Sequence, residues 1–429
     1  MNLLIHMSIL RISGGKKLVG DIRVSGSKNA ATPLLAATLL TSEPCTLRGI
    51  PRIRDVMSMV DILKKIGAQI VWKDDHTLVV CTKSVQIKRL TLPEVRHAIT
   101  SMRSSILLVA PLLVRFGSVT LPEPGGCIIG KRPLDTHFYA LSQLGARITQ
   151  HRKSGYSITA KALRGATVIL PELSVTATEN VLMASLGARG KTVVQLAAVE
   201  PHVVQLERVL QQMGAKIQGI GTHTVMVEGL KKLHGFDVTV IPDEIEAMTL
   251  AIAGVLTQGN LTIHPVIPEN ILLPLLTLQQ LGAGVEMKGS TLHVRPPHRL
   301  RAFSIKALPA PGFSTDLQSP FGVLATQCSG TSLVHDPLYE GRLGYVSELV
   351  KMGANAIICD PHRVLITGPT PLVGGDIQSL DLRSGATLLL AGLVARGETL
   401  IHHAELLDRG YEQIDQRLNS LGASIQREG

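Results

Sequence analysis

The segment PGGCIIGKRPLDTH, Pro124 to His137, sets one thiol, Cys127, between a glycine pair and the cations Lys131 and Arg132. Glycines permit mobility and close backbone approach, and neighbouring cations lower a thiol's pKa and raise its reactivity. The pattern suits a reactive cysteine, whether as nucleophile or as proton donor. The other cysteines, Cys45, Cys81, Cys328 and Cys359, sit in or beside apolar strand-like runs and read as inert small hydrophobes. Five widely spaced cysteines without a Cys-x-x-Cys pair suggest neither a disulfide framework nor a zinc site, and no other metal site or cofactor motif is apparent. Free thiols fit a reducing cytoplasm.

Charged residues recur where apolar helices are expected to start: Lys28 with Asn29, Arg103, Asp316 and Arg383. Others, Arg54, Arg132, Arg342 and Arg409, fall in the loops after the strands that follow. Lys28, Arg132, Arg383 and Arg409 together could hold a small polyanion such as a phosphate plus a carboxylate, because Arg suits bidentate capture of both groups. Asp316, in TDLQSPFG, has two readings. It is a base for a substrate hydroxyl, or it is a helix N-cap, a role Thr315 could equally fill.

The elements that must position these residues follow from a repeat. KKIGAQI, SQLGARI, QQMGAKI, QQLGAGV, VKMGANA and NSLGASI carry Gly67, Gly145, Gly214, Gly282, Gly353 and Gly422, at intervals of 78, 69, 68, 71 and 69 residues. Each phrase ends an amphipathic helix with a glycine cap and leads into a β-like run. Upstream of each lies a nearly all-apolar helix, such as ATENVLMASLGAR or LRSGATLLLAGLV, followed by a turn and a short strand. Helices without a polar face are buried on all sides. Six helix-strand-helix-strand units of about 70 residues imply an α/β architecture built by duplication, three units per domain. The buried helices would run parallel within a domain. Their N-termini, which attract anions, would then face a common end, and the charged positions would converge on one interdomain cleft.

The bulk composition agrees. The 429 residues suit two domains, and 45% hydrophobic content supplies their cores. With only 3% aromatic residues the cores must be aliphatic. A formal charge of +10 points to anionic partners. The basic residues are scattered and stacking aromatics are few, which argues against nucleic acid. The longest apolar runs, such as Ile106 to Val114, fall short of the roughly 18 residues a membrane span needs. The N-terminus lacks a basic n-region and does not read as a signal peptide, and Met7 is a second candidate start.

SGSKNAATPLLAA, GGCIIGKRPLDTH, FSTDLQ, YEGRLGYVSELVKMGA, DLRSGATLLLAGLVARG and DRGYEQIDQRLNSLGA resemble the UDP-N-acetylglucosamine 1-carboxyvinyltransferase family of enolpyruvyl transferases, from about Leu18 to Ile425. The GNAGTAMR signature of the sister family that makes 5-enolpyruvylshikimate 3-phosphate is absent. The resemblance implies two inside-out α/β barrel domains of three repeats each, helices inside and sheets outside. Residues 28–241 would form one, and residues 1–27 with 242–429 the other. It implies transfer of the enolpyruvyl group of phosphoenolpyruvate to the 3′-hydroxyl of UDP-N-acetylglucosamine, the committed step of peptidoglycan synthesis, by a cytoplasmic monomer or weak oligomer with neither metal nor cofactor.

The residue roles it implies are these. Cys127 protonates the methylene carbon or adds to phosphoenolpyruvate, and Asp316 takes the hydroxyl proton. Lys28, Arg132 and Arg409 stabilise phosphate and carboxylate, with Arg383 also on the phosphoenolpyruvate side and Arg103 on the acceptor side. Asn29 contacts the sugar, and Asp381 keeps the charges oriented. Arg132, Pro133, Leu134, Asp135, Thr136, Ser174, Val175 and Leu338, beside Tyr339, contact the nucleotide. Three stretches depart from the family pattern. KVSVGAT reads ELSVTAT, with Glu172 for Lys; DRIETGT reads DEIEAMT, with Glu244 for Arg; EPEIVD reads EPHVVQ, with His202 for Glu. They mark compensated drift, another nucleotide-sugar acceptor, or an inactive nucleotide-sugar-binding paralogue.

Overall fold

The phrase that ends in Gly-Ala closes helices Arg54–Lys65, Asp135–Gln143, Pro201–Gln212, Leu272–Gln280, Tyr345–Lys351 and Ile414–Asn419. In the computed structural model, which describes residues 8–126, 130, 133–151, 155–230 and 232–429, all six glycines take left-handed φ values, from +92° at Gly145 to +109° at Gly67. The bonding is the same each time. The N–H of Gly67 donates to Lys64 O and that of Ala68 to Leu63 O, and the pattern returns through Gly422 to Asn419 O and Ala423 to Leu418 O. This two-bond motif satisfies carbonyls that a helix end leaves open, and glycine reaches it without steric cost.

The apolar helices are α1 (Lys28–Ala37), α2 (Val109–Phe116), α3 (Val175–Leu186), α4 (Glu244–Leu256), α5 (Thr315–Thr326) and α6 (Leu382–Val394). A 3-10 segment, Arg103–Leu108, leads into α2. Ile245 to Leu256 and Leu382 to Leu393 are buried without a break, as helices lacking a polar face must be. α4, α5 and α6 pack on one another. Asn180 of α3 ties to α2 by accepting from Ala110 N and donating to Ile106 O.

Five of the six sheets among the described residues share one strand order. In each a short strand lies parallel to the strand after an inner helix and two antiparallel strands complete the sheet; in three of the five the short strand directly precedes that helix. Thr167–Ile169 beside Lys191–Gln195 is one such pair, and Asp376–Gln378 beside Glu398–His402 another. The sequence reading has no such leading strand; three residues are too few to show a period of two. The sheet of Ser118–Leu121, Gly155–Thr159 and Arg147–His151 lacks it, and a 3-10 turn at Ile87–Thr91 and the helix Pro93–Ser101 precede its inner helix instead.

The chain divides into two compact units with boundaries at Ser25/Gly26 and Ile241/Pro242. One, the central unit, is built mainly from the residues between those boundaries. The other, the terminal unit, is built from residues 8–25 and 242–429. Strand Val19–Arg23 pairs in parallel with Asn260–His264, and Asp237–Thr239 pairs in parallel with Cys45–Arg48. Ile9–Ser13 lies between Glu398–His402 and Ile425–Glu428. The crossings are anchored within each unit. Ser27 N donates to Ile241 O in the central unit. In the terminal unit Ser25 N donates to Glu246 Oε1, which also pairs with Arg417 at 2.6 Å. No single helix among the described residues is long and apolar enough to cross a membrane.

Candidate active site

In the terminal unit the starts of the inner helices meet. Asp316 is the second residue of α5, and its N–H donates to Ser314 Oγ at 3.3 Å. Ser314 is therefore the cap, and neither Asp316 nor Thr315 fills that role. The Asp316 side chain points instead to two arginines. Arg342 Nη2 donates to Oδ1 at 2.7 Å. Arg383 Nε and Nη2 donate to Oδ2 at 2.9 and 2.7 Å. The three side chains are only 19%, 9% and 6% exposed, in the order Asp316, Arg342, Arg383. Burial opposes the charge on Arg383, but Asp316, Tyr411 and Asp243 more than offset it and hold the guanidinium charged.

The supports come from several elements. Asp381 caps α6 through Arg383 N and Ser384 N, and Ser384 Oγ accepts in return from Asp381 N. This capping box fixes the start of the helix that carries Arg383. Tyr411 is buried, and its hydroxyl bonds Arg383 Nη1 at 3.3 Å and Thr249 of α4 at 3.2 Å. Arg409 ends the 3-10 turn Ala404–Arg409, two residues before Tyr411. A Cβ on Gly410 would sit 2.6 Å from Leu382 Cδ2, so the segment runs against the start of α6. Buried Asp336 accepts from Thr315 Oγ1 and from Leu338 N, which ties the 336–342 loop to α5. The Arg342 guanidinium stacks 5.3 Å from the Tyr339 ring centre.

In the central unit a second chain of contacts joins residues assigned to the acceptor. Arg103, at the head of the 3-10 segment before α2, donates to Pro133 O at 3.1 Å. Leu134 precedes the helix opened by Asp135 and Thr136, and Thr136 Oγ1 donates to Glu172 Oε1 at 2.8 Å. Ser174 stands at the N-cap of α3 and Val175 opens it; the Ser174 side chain makes no cap bond. His137 is buried between Thr176 Oγ1 and Asn180 Nδ2. Lys28 and Asn29 open α1, which packs on the 103–108 segment, and Lys28 Nζ lies 3.8 Å from Asp55. His202 is buried in the first turn of Pro201–Gln212. Cys127 and Arg132 lie outside the described residues. The glycines before the cysteine have a steric reason: a Cβ on Gly125 would stand 1.7 Å from Thr100 O, and Gly126 has φ +125°.

Two of the remaining cysteines match an inert role. Burial pushes the Cys45 and Cys328 thiols up to about 12, so they stay protonated. Cys81 is partly buried. Cys359 lies in the edge strand Asn355–Asp360, the run expected for it, and is exposed there. Sequence reasoning also gave no specific partner to Arg342 and did not single out Asp336 or Tyr411. Arg342 carried a signal, its place in a loop after a strand. Asp336 and Tyr411 carried none short of the tertiary contact.

The arrangement offers a carboxylate held by two guanidiniums at converging helix starts, a setting in which a hydroxyl can be deprotonated beside stabilised negative charge. Comparison with known proteins agrees in kind. The model of the family EPSP synthase (3-phosphoshikimate 1-carboxyvinyltransferase) matches residues 12–418. A UDP-N-acetylglucosamine 1-carboxyvinyltransferase of Koribacter versatilis is 42% identical over 97% of this chain and 96% of its own. The Helicobacter acinonychis protein of the same name is 39% identical, covering 98% and 99%. Among solved structures, the enolpyruvyl transferase NikO from Streptomyces tendae gives a TM-score of 0.86 at 25% identity, over 98% of this chain and 99% of that one. Matched along nearly its whole length in sequence and in backbone, the chain belongs to the enolpyruvyl transferase family.

Proposed function

We propose that the protein transfers the enolpyruvyl group of phosphoenolpyruvate to the 3′-hydroxyl of UDP-N-acetylglucosamine and releases phosphate, serving peptidoglycan synthesis in the cytoplasm. The observation that carries this reading is the Asp316 carboxylate gripped by Arg342 and Arg383. Asp316 takes the hydroxyl proton while the acceptor oxygen bonds to C2 of phosphoenolpyruvate. Cys127 gives a proton to C3, making a methyl group and a tetrahedral ketal. A proton then leaves that methyl group, the C2–phosphate bond breaks and the double bond returns, so the acceptor ends as its enolpyruvyl ether. Lys28, Arg132 and Arg409 stabilise phosphate and carboxylate through these steps. Asn29, Arg103, the 133–136 segment, Ser174, Val175 and Leu338 hold the acceptor.

The decisive measurement is phosphate release from phosphoenolpyruvate with and without UDP-N-acetylglucosamine. Release that depends on that acceptor supports the reading. A second reading, another nucleotide-sugar acceptor, is favoured by Glu172, whose carboxylate accepts from Thr136 where the family pattern has a lysine. Release seen only with a different sugar nucleotide would select it, and no release with any acceptor would remove both. Loss of covalent labelling by fosfomycin in Cys127→Ala would identify the reactive thiol.

A further inference from the structure

The two arginines that hold Asp316 do so in different ways. Arg383 meets Oδ2 with Nε and Nη2 together, a fork that sets its own direction. Arg342 meets Oδ1 with Nη2 alone, at 2.7 Å, and its Nε is buried without a hydrogen-bond partner among the described residues. One hydrogen bond leaves a long side chain room to swing, so the aim of Arg342 must be set from its main chain. Gln318 supplies that hold. It lies on α5, two residues after Asp316, and is fully buried. Its Nε2 donates to Arg342 O at 3.1 Å, and its Oε1 accepts from the hydroxyl of buried Tyr345 at 3.2 Å. The two bonds fix which way the amide faces, since turned over it would set oxygen against the Arg342 carbonyl oxygen. The other end of the loop is tied to the same helix, where Asp336 accepts from Thr315 Oγ1 and from Leu338 N. Thr315 and Gln318 flank Asp316 in the sequence, so the loop that carries Arg342 is anchored on both sides of the carboxylate it serves.

We propose that Gln318 is a positioning residue for Asp316, acting through Arg342: its amide holds the Arg342 main chain where Nη2 reaches Asp316 Oδ1. The inference rests on Asp316 being the base of the proposed reaction. Without the amide, Arg342 keeps its charge and loses its aim, and only Oδ2 of the base stays fixed.

The test is steady-state kinetics of the full-length enzyme with phosphoenolpyruvate and UDP-N-acetylglucosamine, in wild type, Gln318→Met, Arg342→Met and the double variant. Methionine has the length of glutamine and neither of its polar groups. Gln318→Met should lower kcat about tenfold, the worth of one buried hydrogen bond, with KM for phosphoenolpyruvate nearly unchanged. In the Arg342→Met background the same substitution should add nothing, because there is no guanidinium left to aim. A merely structural role would cost as much in both backgrounds, and that result overturns the proposal, as does a wild-type kcat in folded Gln318→Met. Tyr345→Phe guards against a Gln318 variant that fails to fold. It keeps the amide and removes the hydroxyl that orients it, so kcat should fall by less and only where Arg342 is present; a wild-type kcat there overturns the proposal too. Full turnover in Asp316→Asn would remove the base assignment and the proposal with it, whereas an inactive Asp316→Asn beside an indifferent Gln318→Met would sink the proposal alone.

Discussion

At the residue scale, the arginines around Asp316 serve its orientation. Two guanidiniums fix both of its oxygens, and a base held in one orientation gains from geometry. The fork matters because Arg383 reaches Oδ2 through two nitrogens at once. A lysine offers one compact charge and cannot reproduce it. Asp316→Asn should therefore cut kcat by about 10²–10⁴-fold, the range for loss of a general base. Arg383→Lys should fall in the same direction by less, with kcat moving more than KM. Steady-state kinetics decide it, and a wild-type kcat in Arg383→Lys would contradict the positioning role. Much of this site was legible in the sequence, since Asp316 and Arg383 both open apolar helices. What could not be read was which side chains meet. Arg342 and Asp316 are 26 positions apart, Tyr411 and Arg383 are 28 apart, and no helical or strand period links them.

At the scale of elements, six copies of one helix ending provide a controlled comparison. At Gly145 the nearest atom to an added Cβ is 3.7 Å away, so alanine there meets only the left-handed backbone. At Gly67 the same Cβ would fall 2.5 Å from Ser84 O. Gly145→Ala should cost about 1–2 kcal/mol from backbone strain. Gly67→Ala should cost more, because the 82–85 turn must shift as well. Chemical denaturation of both variants measures the difference, and equal costs would mean that the turn yields freely. The inner and outer helices were legible because burial imposes composition and capping imposes glycine. The leading strands of three residues were not, because their identity comes from a neighbour already in place. Thr167–Ile169 becomes a strand by lying beside Lys191–Gln195.

For the whole molecule, the buried glutamates set a pH dependence of stability. Burial raises Glu207 to about 7 and Glu244 to about 8, from an ordinary value near 4.5. Between those limits the folded chain holds protons that the unfolded chain has released, so stability is full below about pH 4.5 and declines as pH rises through 7 to 8. Thermal melts across this range should show a falling midpoint, and Glu207→Gln should flatten its lower part; a midpoint that climbs with pH would refute the assignment. The exchanged strands carry another consequence. As the chain leaves the ribosome, the stretch from Gly26 to Ile241 can close on itself, while Ile9–Ser13 and Val19–Arg23 still wait for Glu398–His402 and Asn260–His264. Val19–Arg23 is open to wrong partners until residue 264 is made and Ile9–Ser13 until synthesis is almost finished, which makes the first strand in particular a target for a holding chaperone. By the same logic, a peptide spanning residues 8–25 should rescue a 242–429 fragment when supplied in trans.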